Sequence, residues 1–335
     1  MSAPASVLRL GPVSLLWRPR VAALCGVLVV VALCLALVLL GTGTLAFSPA
    51  EVLRVLLGTG GDETAGRVIL HLRLPRVLTA ICVGAALGMA GSIFQSISRN
   101  ALGSPDIVGF TTGAATGAIV QIILFDAGPL AVSIAAALSG IATAAVVFLL
   151  ALKGRVTGGY RLVLVGIGVG ATLSGINTVL LVAGDLDRAM SAQIWLAGSL
   201  SARSWSPVVP AALGLALVVP VALFHARRVA LLEMGDDAAR QLGVAVEPTR
   251  LATVMAAVCL TAIATAAAGP IAFIALAGPQ LARRLAPSPD VPLLSGAAMG
   301  MVLLLCADLI SQRFPYQINL PIGLTTGFLG GGYLL

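Results

Sequence analysis

The chain has 335 residues, 59% of them hydrophobic and only 10% charged, with a mean hydropathy of +1.06. Soluble domains run about 45–50% apolar and about 25% charged, so the composition excludes a soluble globular enzyme, a disordered tail and a secreted disulfide scaffold. The formal net charge is +7, but the Arg residues stand in short segments between apolar runs, where they read as orientation signals facing anionic lipid rather than a nucleic-acid surface.

A spanning helix needs about 20 mostly apolar residues. Ten such runs follow one another, at roughly 21–43, 75–97, 107–125, 129–152, 161–183, 206–225, 250–268, 270–286, 292–312 and 319–335. The first follows Arg18 and Arg20, is as long as a full span and has no convincing cleavage site, so it reads as an anchor rather than a signal peptide. Only Gly269 and Pro270 separate the seventh and eighth. Charge counting favours keeping both: with the amino terminus cytoplasmic, ten spans leave 13 of the 20 Lys and Arg residues on the cytoplasmic side, as the positive-inside bias requires. Merging the pair would move Arg283 and Arg284 outside. The expected fold class is all-α, a polytopic membrane protein of about ten transmembrane helices. It forms one domain over 1–335 with both termini cytoplasmic.

Glycines four apart predict where these spans pack closely. The pairs and triplets are Gly84/Gly88, Gly109/Gly113/Gly117, Gly166/Gly170, Gly296/Gly300 and Gly323/Gly327/Gly331. Lipid supplies little hydrophobic drive between helices, so small residues that let backbones approach take over that role. The five cysteines (Cys25, Cys34, Cys82, Cys259 and Cys306) lie in apolar runs without a C-x-x-C, and read as small packing residues.

The chemistry that is missing narrows the function. No G-x-x-x-x-G-K-[ST], H-E-x-x-H or G-x-S-x-G occurs, and Gly166–Gly170 lacks the setting of a dinucleotide fingerprint. His71 and His225 fall on opposite sides of the membrane and cannot share a metal. Among acidic residues only Asp308 lies within an apolar run, with Asp126 at a boundary. An ion-coupled carrier usually needs ionisable groups at membrane depth, so the driving energy is expected to enter elsewhere. The largest cytoplasmic loop, 226–249, offers a place. Asp236 and Asp237 open a short helix at the favourable end of its dipole, and Gly243 suits its stop. Ala238, Ala239 and Leu242 give it an apolar stripe, which either shields the loop or enters a groove on a partner.

Five stretches, in order, carry a resemblance. They are Arg73-Leu-Pro-Arg76, Arg99-Asn100-Ala-Leu-Gly-Ser-Pro105-Asp106, the run Met234 to Val244, the run Gly269-Pro270-Ile271 to Pro279-Gln280, and Leu320-Pro321-Ile322-Gly323. The chain resembles the FecCD-like permease subunits of type II ABC importers, which carry iron–siderophore complexes, haem or cobalamin. The resemblance implies their permease fold in the cytoplasmic membrane. It also implies a second permease subunit (identical or related), two cytoplasmic ATPase subunits, an extracytoplasmic substrate-binding protein and an Fe(III)–siderophore as cargo. No cofactor is expected on this chain; ATP and Mg would sit on the ATPase.

Carried over by position, the resemblance gives Arg73, Arg76 and Arg313 to docking of the binding protein. It gives Gly235, Asp236, Asp237, Ala239, Arg240, Leu242 and Gly243 to ATPase coupling. Thr157, Gly158, Gly159 and Tyr160 match the inner gate, where the family often has hydroxyl residues. Gly166, Gly170, Thr172 and Asn177 fall to the translocation pathway, and Gln280 stands where the family often has His.

Overall fold

Proline and glycine punctuate the apolar runs, and the helices begin and end accordingly. A computed structural model describes residues 6–10, 13–60, 62–153, 156–157, 159–201, 204–313 and 320–334, of which 6–10, 13–17, 106–107, 153, 156–157, 159 and 334 by backbone alone. After a short hairpin of β1 (Ser6–Leu10) and β2 (Val13–Trp17) comes α1 (Pro19–Gly41), whose Pro19 sits where a helix needs no N–H donor. Two small helices, α2 (Pro49–Leu56) and α3 (Glu63–Arg67), lead through a π-helical turn (Val68–Arg73) into α4 (Leu74–Ser98). Then come α5 (Phe110–Phe125), α6 (Pro129–Ala151) and a second hairpin of β3 (Leu152–Lys153) and β4 (Val156–Thr157). Next are α7 (Gly159–Ala183), α8 (Leu186–Leu196), α9 (Trp205–Glu233) and α10 (Asp236–Gln241). The chain closes with α11 (Val246–Ala268), α12 (Ile274–Leu285), α13 (Leu293–Arg313) and α14 (Ile322–Leu334).

Ten of these helices coincide with the ten predicted runs, and the architecture is all-α. By length and composition seven helices are long and apolar enough to cross a membrane; α5, α12 and α14 are shorter. The predicted run 107–125 starts late because Pro105–Val108 form a 3-10 turn and Gly109 takes a positive φ of 66°. The predicted run 206–225 ends late. No glycine or proline follows until Gly235, so α9 continues past its apolar part to Glu233.

The run 270–286 needs the largest correction. It is no continuous helix: Gly269 (φ 75°) through Phe273 (φ 67°) are non-helical, and only Ile274–Leu285 form α12. Extended residues advance about 3.3 Å each against about 1.5 Å in a helix. The 12 helical residues alone cover about 18 Å, so the non-helical stretch has to supply the rest of any crossing of a hydrocarbon core of about 30 Å. Irregular backbone at membrane depth is tolerated only where protein buries it or it lines a cavity. Here Pro270 packs against Gly198, and a cavity of about 410 Å³, walled by Thr261, Thr265, Ser104 and Thr111, opens beside the stretch.

At the centre stands α4, apolar around its whole circumference and buried along most of its length, which is how a helix enclosed by other helices should read. It carries Arg76 at one end and Arg99 just past the other. Helices α9, α11, α12 and α13 pack around it. Its glycines meet those of α13 directly: a methyl built on Gly84 would lie 2.5 Å from the Gly300 carbonyl oxygen, and one on Gly88 2.1 Å from that of Gly296. Gly113 and Gly117 of α5 likewise press on Thr143, Ala135 and Ser139 of α6. The predicted triplet in α14 is only partly right. Gly323 abuts the Ala197 carbonyl and Gly330 the Phe273 ring, whereas Gly331 meets nothing within 4 Å. At about 100° per residue, a step of seven stays on one face while a step of eight drifts off it.

The five cysteines are free thiols. Four are half-buried between helices and Cys34 is exposed on α1.

Candidate functional site

Three places gather the residues singled out by sequence: the Arg99 end of the bundle, the Arg76 end, and the long helix α7.

At the Arg99 end, α10 is defined by glycines on both sides. Gly235 precedes it with φ 119° and ψ 151°, a backbone region that L-residues avoid. Gly243 follows with φ 80°, and paired bonds from Gly243 N–H to Arg240 O (3.0 Å) and Val244 N–H to Ala239 O (2.9 Å) close the helix as a Schellman motif. The predicted apolar stripe splits. Ala239 is fully buried in a small cluster with Leu232, Val244 and Val246, while Leu242 and Met234 are exposed. Asp237 and Arg240 pair with each other on the exposed face at 2.8 Å.

Asp236 does more than favour the helix dipole. Its carboxylate accepts two hydrogen bonds from Arg250 Nη2, at 2.8 and 2.7 Å, and one from Arg99 Nη2. Arg99 Nε also donates to Leu232 O at 3.0 Å. Arg250, only 2% exposed, reaches Glu247 at 2.8 Å as well. Beside this cluster Arg283 donates to Glu233 (2.6 Å) and Ser96 (3.1 Å), and Gln280 to Ala101 O (2.5 Å). Burial opposes ionisation of Asp236, but the hydrogen bond and charge of Arg250, then those of Arg99, outweigh it and hold its pKa below the usual carboxylate value.

A depressed folded pKa sets the sign of the pH dependence. The stabilisation is complete above the unfolded carboxyl pKa, about 4, and is lost as pH falls through the lower folded value. Thermal melts of Asp236→Asn beside the parent at pH 6, 5, 4 and 3 should therefore converge as acid is added. A difference that stays constant to pH 3 would contradict this.

At the opposite end, Arg76 and Asp308 form a two-pronged pair, Nε to Oδ1 at 3.1 Å and Nη2 to Oδ1 at 2.7 Å, with Gln312 Nε2 adding a bond to Oδ2 at 2.9 Å. Asp308 is completely buried. Arg73 donates to Leu40 O (2.8 Å) and Leu45 O (2.5 Å) and lies over the Phe47 ring. Arg73, Arg76, His71 and Gln312 line one depression of about 400 Å³. Arg313 is exposed at the end of α13 beside it. The guanidinium groups of Arg73 and Arg76 are thus held within the chain. The lone carboxylate of α13 was the readable signal for this pair, since an acid at membrane depth needs a partner.

Helix α7 packs on α5 and α6 and leaves much of its surface exposed. The four residues assigned to the pathway do not share a face. Gly166 is buried and Gly170 half-buried near Gly109 of α5, and Asn177 is buried, donating to Thr112 O at 3.4 Å. Thr172 lies on the opposite, exposed side with Gly168, Gly175 and Thr178. The spacing explains the split: 166, 170 and 177 fall within about 40° of one another, and 172 lies about 120–160° from them. Of the gate residues, Tyr160 is exposed at the start of α7 and Thr157 pairs with Leu152 in the second hairpin. Gly158 and the side chains of Thr157 and Gly159 lie outside the described residues.

Long apolar helices locked by backbone-to-backbone contacts, with a short helix strapped to one face, have the build of a polytopic membrane protein. The chain belongs to the FecCD transport family, whose sequence pattern it matches over residues 27–335. It is 44% identical over 296 residues to the ferric enterobactin transport system permease protein FepG of Escherichia coli, covering 88% of this chain and 89% of that one. It is 37% identical over 307 residues to the achromobactin transport system permease protein CbrC of Dickeya dadantii, covering 88% and 85%. Its fold matches a solved inward-facing metal-chelate type ABC transporter with a TM-score of 0.81 and 27% identity, over 93% of this chain and 97% of that one.

Proposed function

We propose that this chain imports an Fe(III)–siderophore complex across the cytoplasmic membrane, as one of two permease subunits working with two separate cytoplasmic ATPase subunits and an extracytoplasmic binding protein. The observation that carries the reading is the 44% identity, over nearly the full length, to a ferric enterobactin permease. In this reading the Arg99 end and both termini are cytoplasmic. The exposed face of α7, small and uncharged around Gly168, Thr172 and Gly175, lines a path shared with the second permease subunit. Thr157–Tyr160 narrows its cytoplasmic mouth.

Weak, uncharged walls let a bulky chelate leave again, so direction comes from alternating access driven by another subunit. No cofactor binds this chain; ATP and Mg²⁺ are held by the ATPase, whose surface receives Leu242 and Met234. Outside, Arg313 and the free edge of Arg73 meet carboxylates of the binding protein, and Arg76 positions that rim through Asp308. Such exposed charges set approach and register more than affinity.

The test is reconstitution with the ATPase and binding protein and measurement of ⁵⁵Fe-enterobactin uptake. ATP should support uptake, and collapsing ion gradients at constant ATP should leave it unchanged. Accumulation driven by a pH or sodium gradient without the ATPase would overturn the reading. Gly235→Val should lower uptake about tenfold, the factor set by about 1.4 kcal/mol, because no L-residue fits its backbone comfortably. Membrane insertion should persist, since nothing lies within 4 Å of the added side chain's first atom.

A further inference from the structure

The attachment of α10 to the bundle is unusually concentrated. Glycines with positive φ flank it, Gly235 at 119° and Gly243 at 80°. Its one buried apolar side chain is Ala239, in a cluster of small extent. Two glycine pivots and one methyl group would leave the helix free to rock. What opposes this is Asp236, whose carboxylate is gripped by Arg250 at the start of α11 and Arg99 past the end of α4. Arg99 also donates to Leu232 O near the end of α9. One carboxylate and two guanidiniums thus tie α10 to three long helices.

The backbone of Arg99 supports the same conclusion. A helix end that turns left-handed ordinarily uses Gly or Asn, yet position 99 is Arg with φ 51°. From this conformation Nε and Nη2, two separate donor atoms of one planar group, engage two helices at once, a fixed fork that the compact ammonium of Lys lacks.

We propose that Arg99 and Arg250 are positioning residues that clamp α10, through Asp236, to the ends of α4 and α11, so that a displacement of α10 by its partner moves α4. This rests on the reading that the 235–243 segment meets the ATPase. Through α4 the clamp connects that segment to Arg76 at the opposite end of the same helix, making the two faces of the membrane thermodynamically coupled and the effect reciprocal.

Arg99→Gln is the informative variant, because Asp236 keeps both bonds from Arg250 and the fold keeps its buried pair. In the complete reconstituted assembly, stimulation of ATP hydrolysis by the binding protein should fall about tenfold, within the usual range for coupling between sites. The melting temperature and co-elution of the ATPase should match the parent. Arg99→Lys should restore part of the stimulation. A purely structural role would lower the melting temperature in step with stimulation, and that result would overturn the proposal, as would full stimulation in both Arg99→Gln and Asp236→Asn. Leu242→Asp separates the two readings. If it releases the ATPase while the Arg99 and Asp236 variants are stimulated normally, the clamp is refuted alone. If the ATPase stays bound and stimulated in Leu242→Asp, the assignment of 235–243 to the ATPase fails, and the clamp with it.

Discussion

Asp308→Ala is expected to destabilise the permease by about 3–5 kcal/mol, the usual cost of stranding one member of a buried ion pair. Asp308 is fully buried and accepts from both Arg76 and Gln312. Its removal leaves a guanidinium and an amide facing apolar neighbours across the junction of α4 and α13. Arg76 keeps 23% side-chain exposure, and its long stem lets the charge swing toward the rim, which places the loss at the lower end of that range. Asp308→Leu with Arg76→Met should be much milder, because well-packed apolar replacements of a buried pair are often neutral or stabilising. Thermal melting of the parent, Asp308→Leu, Arg76→Met and the double variant in one detergent measures the cycle. A single Asp308→Ala variant that melts with the parent would show that the pair contributes nothing.

The second large effect belongs to Gly88. Even the first carbon of a side chain would lie 2.1 Å from the Gly296 carbonyl oxygen and 3.2 Å from the Ala297 Cα. Backbone atoms on the facing helix cannot rotate aside as a flexible side chain would. Gly88→Leu should therefore exceed the about 1–3 kcal/mol of ordinary overpacking and part α4 from α13. The expected outcome is loss of the monodisperse peak in size-exclusion chromatography. Gly331→Ala is the matched control, with open space around it and an expected change within about 0.5 kcal/mol.

The sequence made some of this legible and hid the rest, for identifiable reasons. Apolar runs located ten helices, seven of them long and apolar enough to cross a membrane, because lipid imposes that length on each separately. The glycine pairs in α4 and α13 were equally readable, since a spacing of four is local. Pairings across the fold were not. Arg76 and Asp308 are 232 residues apart and Arg99 and Asp236 are 137 apart, and no local pattern joins them. Arg250 read as one more basic loop residue, yet it is almost wholly buried. Residues 270–286 looked like a helix because hydropathy records what is apolar and not how far each residue advances. On α7, hydropathy likewise could not distinguish the face that meets α5 from the face left open. The difference between positions 170 and 172 is an angle about the helix axis.

The extended stretch before α12 distributes stiffness unevenly. A helix resists bending because each turn is laced to the next, but Gly269–Phe273 is laced only at its ends, by Gly269 N–H to Thr265 O at 2.8 Å and by Ala277 N–H to Phe273 O at 2.7 Å. Beyond that break α12 is anchored to α4: a methyl built on Gly91 would lie 1.7 Å from the Ala275 carbonyl oxygen, and Gln95 donates to Leu276 O at 2.9 Å. Between α4 and α13, too, backbone touches backbone, and few rotamers can yield there. The first turn of α12 thus belongs to one stiff unit with α4 and α13, and the slack in this part of the chain lies in the segment that joins it to α11.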